Sequence, residues 1–282
     1  MSNVGLCLNA SFLGFFAHAG FLAELLTLGV RPRAASGASA GALVTGLYAG
    51  GVTPAEMLTI FLSPEIRQVF RERGAIPRGI ATTLNLPGHT GALRMHRAVP
   101  LLKRAVGEKR IEDCRDPKLG IAVTNLTTGR MEIATEGSLV EMILASGAAP
   151  GFFAARPVDG YLYWDGGIAN PLPFDHWLDD PEIDTILLHT VVNPEELAVR
   201  KKGQPLRISG AVNLSHQIIC DELLRLKLAL AQKAGKRVIP LQTEAPRPSL
   251  WNAAKAGAQC VELGRASVRA NRKVLEELSE AI

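Results

Sequence analysis

Ser39 lies in Gly37-Ala38-Ser39-Ala40-Gly41, a spacing that holds a serine on a sharp strand-to-helix turn. Gly37 and Gly41 omit the side chains that would clash where the backbone folds so tightly. The hydroxyl would project at the N-terminal end of the next helix. Free N–H groups and the helix dipole there favour an alkoxide and the oxyanion it creates. With 27 glycines in 282 residues, the pattern also arises by chance, so the serine needs a recognisable base. None of the six histidines, His18, His89, His96, His176, His189 and His216, has the glycine-rich setting of a triad base. His18 and His189 read as packed or hydrogen-bonded core residues, the other four as surface or loop residues. The distinctive acid is Asp165, in Tyr163-Trp164-Asp165-Gly166-Gly167. Two readings stand for it: a base held on a close-packed turn, or a plain Asp-Gly hairpin turn.

The elements that must position these residues alternate between strand and helix. Val4 to Leu8 reads as a buried strand and Phe15 to Leu28 as a core helix. Arg33 to Ser36 is a short strand feeding the elbow, and the helix after Ser39 ends at Gly50-Gly51. Thr53-Pro54-Ala55-Glu56 is a helix start with Thr as its cap. Residues 71–95, rich in Gly, Pro, Thr and Arg, read as a connecting or lid-like loop, or as a plain connection with a short helix. Further helices are expected at Arg97–Val106, Ser138–Ala145, Asn213–Ala234 and from Trp251 onward. Strands are expected at Leu119–Thr124, Met131–Thr135, Tyr161–Trp164, Ile183–Val192 and Val238–Leu241. The alternation predicts an α/β fold: a three-layer α/β/α arrangement around a mostly parallel sheet, in a single domain spanning 1–282.

Composition narrows the function classes. Hydrophobic residues make up 47% and charged residues 21%, as in globular proteins with a sizeable core. The net charge is +4. No dense Lys/Arg stripe with interleaved aromatics points to nucleic acid. The mild surplus is compatible with peripheral contact with a membrane surface, and equally with a solvated face. The near-uncharged N-terminus lacks the positive start of a signal peptide. Asn9, Ser11, His18 and Glu24 make it a poor membrane span. Cys7, Cys114, Cys220 and Cys260 have neither zinc spacing nor a disulfide framework, which predicts reduced thiols, a cytoplasmic setting and no metal.

Several motifs together resemble the patatin-like phospholipases, serine acyl hydrolases that use a Ser–Asp dyad. Besides the elbow and Asp165-Gly166-Gly167, the most specific match is Ala145-Ser146-Gly147-Ala148-Ala149-Pro150-Gly151-Phe152-Phe153. Asn170-Pro171-Leu172-Pro173 follows the family pattern too, as does Val123 to Gly129, with Asn125 where Asp is frequent. The resemblance implies Ser39 as nucleophile and Asp165 as base, acting on lipid or other acyl esters through an acyl-enzyme, without a cofactor. An acyl-carrier transacylase fits less well, because Ala38 stands where such enzymes often carry His.

The sequence departs from the family in the loop after the first strand. Family members place three glycines and a basic residue there, and backbone N–H groups form the oxyanion hole. This chain has Ala10, Ser11 and Phe12 at the glycine positions and no Arg or Lys nearby. Backbone N–H groups of Ala10, Ser11, Phe12 and Ala40 are the expected donors. Positive φ at Ala10, Ser11 or Phe12 would be strained. Phe12, Phe15 and Phe16 are candidates for an acyl pocket or for core. Two functions follow: a lipid acyl hydrolase with an unusual oxyanion loop, or a catalytically impaired patatin-like protein that binds acyl chains or a protein partner.

Overall fold

β1 (Val4–Leu8) is buried along its whole length, as a continuous apolar run requires in a sheet covered on both faces. The structure, a computed structural model, describes residues 3–194, 205, 208–248 and 253–280; the side chain of His216 and Trp251 lie outside them. After β1 come α1 (Phe15–Thr27), β2 (Ala34–Gly37) and α2 (Ala40–Ala49). Thr53 caps α3 (Pro54–Leu62): its hydroxyl accepts from the Glu56 N–H, and Glu56 accepts from the Thr53 N–H. α4 (Pro64–Gln68), α5 (Ala75–Thr83), β3 (Gly91–Leu93) and α6 (Ala98–Val106) follow. The stretch 71–95 therefore carries a helix and a strand and is not a bare loop.

β4 (Lys118–Asn125) and β5 (Arg130–Ala134) form a hairpin, and α7 (Leu139–Ser146) follows. Next come β6 (Gly151–Phe153), β7 (Arg156–Val158), β8 (Tyr161–Asp165) and the single turn α8 (Gly166–Ala169). The short strands β6 and β7 escape a reading by periodicity because three residues carry no period. The chain closes with β9 (Thr185–Val192), α9 (Ile208–Lys233), β10 (Arg237–Glu244), α10 (Ala253–Ala270) and α11 (Arg272–Glu280).

The main sheet runs β10-β9-β1-β2-β4-β8-β7. β10, β9, β1, β2 and β4 are parallel, while β8 and β7 close one edge antiparallel. Successive residues of β1 point to opposite faces, so Leu6 and Leu8 join the apolar layer of α1 while Cys7 joins that of Phe174 and Trp177. The strand order reverses at β1, where Leu8 pairs with Gly37 on one side and His189 on the other. Such a switch point opens a crevice beyond the carboxyl ends of the strands. Among the described residues, no helix is long and apolar enough to cross a membrane.

Candidate active site

Ser39 joins β2 to α2 with φ +52° and ψ −117°, a conformation rarely adopted by a residue with a side chain. The turn closes because its neighbours lack side chains. A Cβ on Gly41 would overlap the Leu8 carbonyl, and one on Gly37 would overlap the backbone of Gly41. The Ser39 N–H donates to the Ser146 hydroxyl at 2.9 Å. Ser146 is a site residue to which the motif alone assigns no role. Its signal in the sequence is its place in Ala145-Ser146-Gly147, at the end of an apolar helix where a buried hydroxyl needs a partner.

Asp165, the last residue of β8, is 126 positions from Ser39 in sequence, yet the Ser39 hydroxyl donates to its Oδ2 at 2.7 Å. Its Oδ1 accepts from the Gly167 N–H, also at 2.7 Å. The backbone is pinned as well: the Asp165 N–H donates to the Ala148 carbonyl at 3.1 Å, and its carbonyl accepts from the Thr124 hydroxyl at 2.8 Å. A Cβ on Gly166 would overlap the Ala122 carbonyl, and one on Gly167 the Ala10 side chain. These glycines let the turn lie directly on β4 and on the loop after β1. Burial pushes the Asp165 carboxyl up from 3.8 to about 6, against the downward pull of the Ser39 and Gly167 hydrogen bonds.

The loop after β1 differs from expectation in two respects. Positive φ falls on Leu13 (+58°), and Ala10, Ser11 and Phe12 escape the anticipated strain. The Ala10 N–H donates to the Pro171 carbonyl at 3.0 Å, so Ala10 is not a free donor. Among the described residues, the N–H groups of Ser11, Phe12 and Ala40 have no acceptor. Ala40 is the first residue of α2, where an orphan N–H is inherent to a helix start.

Buried polar groups hold the loop at Asn9. Its N–H donates to the His189 carbonyl (3.2 Å), and its side-chain oxygen accepts from the Val191 N–H (2.9 Å). The Asn9 carbonyl lies 3.1 Å from His18 Nε2. A carbonyl only accepts, so Nε2 carries the proton and His18 Nδ1 is the acceptor for His189 Nδ1–H, 2.9 Å away. His189 Nε2 then accepts from the Thr243 hydroxyl at 2.8 Å. Burial lowers His18 to about 3 and His189 well below its usual value, so both rings stay neutral. Both histidines are core residues, as their sequence settings indicated.

Ser39 and Asp165 open onto a cleft of about 500 Å³, lined also by Phe12, Ile168, Pro171, Leu172 and Leu224. The edge of the Phe12 ring meets Phe152 with centroids 5.3 Å apart. Phe15 and Phe16 instead pack with Phe61 in the core. Asn125, where the family often has Asp, binds the Thr127 and Thr128 N–H groups and shapes the β4–β5 turn.

The chain is similar to several known proteins. An uncharacterized NTE family protein of Mycobacterium tuberculosis is 31% identical over 170 residues, 60% of this chain and 44% of that protein. The lysophospholipase NTE1 of Mycosarcoma maydis is 31% identical over 173 residues, 61% of this chain and 9% of that protein. The chain thus spans less than half the length of these relatives. The crystal structure of VipD from Legionella pneumophila superposes with a TM-score of 0.44 at 16% identity, over 94% of this chain and 67% of that one. Residues 6–177 match the patatin-like phospholipase family along a continuous stretch that holds the end of β1, the elbow and the Asp165 turn, and the chain belongs to that family.

Proposed function

We propose that the protein is a serine hydrolase of lipid acyl esters, with Ser39 as nucleophile and Asp165 as its base. The observation that carries this reading is the 2.7 Å hydrogen bond from Ser39 Oγ to a buried carboxylate. Ser39 Oγ attacks the ester carbonyl as its proton passes to Asp165 Oδ2. The tetrahedral intermediate collapses, and the departing alcohol takes that proton. Water then attacks the acyl-enzyme, Asp165 accepts its proton, and the returning proton restores the Ser39 hydroxyl. A carboxyl raised to about 6 is ionised at neutral pH yet more basic than an exposed one, which suits direct proton transfer.

The free N–H groups of Ser11, Phe12 and Ala40 are the proposed oxyanion donors. One such donor is worth about 2.7–4 kcal/mol in the barrier. The apolar lining by Phe12, Ile168 and Leu224 suits an acyl chain. The matched lysophospholipase, by its name, acts on a lipid ester.

A second reading, an impaired protein that binds acyl chains, is favoured by one observation: the Ala10 N–H is already committed to Pro171. A fluorophosphonate probe and p-nitrophenyl esters of graded length separate the two. Labelling and turnover that vanish in Ser39→Ala and Asp165→Asn support the hydrolase. Wild-type protein that is silent with every ester and with the probe refutes it.

A further inference from the structure

Residues 71–97 hold five arginines and one glutamate, so this short segment carries a surplus equal to the +4 of the whole chain. The rest of the chain balances to zero. The same segment contains α5, whose outer face is apolar. Ile76, Ile80 and Leu84, spaced four apart on one side of the helix, are 79%, 56% and 65% exposed, and Leu86 just beyond is 48% exposed. Soluble surfaces scatter single apolar residues, whereas a contiguous row signals a partner.

The platform is built, not frayed. Glu72, whose side chain is almost wholly buried, pairs with Arg78 at 3.0 Å. It also accepts from the backbone N–H groups of Arg94 (2.9 Å) and His96 (3.2 Å). Arg78 Nε donates to the Ala92 carbonyl at 2.8 Å, fastening the inner face of α5 to β3. With Glu72 neutralised by Arg78, exposed Arg71 and Arg73 before α5 and exposed Arg94 and Arg97 after it remain in the same segment, without an ion pair among the described residues. The platform also reaches the cleft. β3 pairs with β6, which follows Ala149 and Pro150 of the cleft wall and carries Phe152 against Phe12 of the cleft lining.

An exposed apolar helix row in a segment with a surplus of four positive charges fits the boundary between acyl chains and anionic headgroups. A protein partner would have to match the same row and an acidic rim at once. A bilayer supplies both without shape matching. We propose that the outer face of α5 docks on an anionic phospholipid surface, with Ile76, Ile80, Leu84 and Leu86 entering the acyl boundary and the four exposed arginines meeting headgroups. This deepens the lipid-ester reading by saying how a substrate held in a bilayer would be presented to the cleft. The binding itself does not need turnover.

The test is co-sedimentation of Ser39→Ala protein with phosphatidylcholine vesicles, with and without phosphatidylglycerol. Binding is expected only with phosphatidylglycerol and should weaken as salt rises. Ile80→Gln with Leu84→Gln should lower partitioning about ten-fold or more. Arg73→Gln with Arg94→Gln should lower it about 25-fold, near five-fold per arginine. In protein with Ser39 intact, the Ile80/Leu84 pair should leave hydrolysis of a soluble short ester at its original rate. The proposal is overturned if both vesicle types bind equally, if neither binds, or if either pair of substitutions binds as well as its parent. It is also overturned if the Ile80/Leu84 pair turns a dimer into a monomer, which would make a second copy the occupant, or if that pair abolishes soluble-ester turnover. Vesicle binding by a protein that shows no Ser39-dependent turnover would sink the hydrolase reading and leave the docking surface standing.

Discussion

Replacing Asp165 by Asn should stabilise the fold while abolishing turnover. Burial raises the carboxyl from 3.8 to about 6, so the folded chain binds more protons than the unfolded chain between those pH values. Stability therefore falls as pH rises through that window. Above pH 6 the fold bears the full cost of an ionised, buried carboxylate. At ~1.4 kcal/mol for each pH unit between the two values, that cost is about 3 kcal/mol at pH 7.5 and about half as much at pH 5. An Asn at this position keeps an oxygen for the Gly167 N–H and carries no charge to desolvate. Urea denaturation of both proteins at the two pH values reads the difference directly. Asp165→Asn should be more stable by about 3 kcal/mol at pH 7.5, with the gap halved at pH 5. A variant that is less stable than its parent at pH 7.5, or a gap indifferent to pH, would refute the claim that desolvation governs this carboxyl.

If Asp165 must be ionised to accept the serine proton, kcat/KM for a short ester should fall ten-fold per pH unit below about 6; a flat profile from pH 7 to pH 5 would exclude it as the base. Ala10→Gly with Phe12→Gly should not raise turnover, because neither residue has positive φ, and should lower stability by roughly 0.5–1 kcal/mol per site. A faster double variant would show that the native loop is strained after all. Thr243→Val leaves His189 Nε2 without its donor, so denaturation should show a loss of about 1–3 kcal/mol; an unchanged midpoint would break the proton chain inferred from Thr243 to Asn9. Gly166→Ala drives a Cβ into the Ala122 carbonyl and should displace Asp165, with loss of Ser39 probe labelling. Labelling at the wild-type rate would show that the turn can yield.

The two halves of the proposed dyad stand out in the sequence by their glycine turns, and the family resemblance is what joins them. Gly41 and Gly166 are demanded by the strands on which their turns lie, at Leu8 of β1 and Ala122 of β4, whereas Gly37 is demanded within the elbow itself, by the backbone of Gly41. A local motif can record such a constraint. The parallel strands of the main sheet were legible for another reason: β1 and β9 are apolar runs of the kind a sheet covered on both faces requires, whereas the three-residue edge strand β7 carries no such signal. The loop between β1 and α1 follows a different logic. Its conformation is set at Asn9 by His18 in the following helix and by His189 and Val191 of β9, and at Ala10 by Pro171, so two distant parts of the chain take part.

Reading the loop from its own residues leads to expected strain at Ala10, Ser11 and Phe12, which the structure does not contain. Loss of the family glycines does not imply a damaged loop, because the left-handed position lies at Leu13, outside the three substituted positions, and the polar anchoring lies in the core beneath. The loop carries a left-handed Leu13 and one free N–H fewer. One N–H of the stretch is given to Pro171, and Ser11, Phe12 and Ala40 retain theirs. Since each oxyanion donor is worth several kcal/mol, the question of activity reduces to whether those three suffice without Ala10. Removing the competing acceptor is not a route to an answer, because the Pro171 carbonyl is backbone. The rate itself must decide it, and a Ser39-dependent rate would mean that three donors on a loop held from below can replace a glycine-rich one.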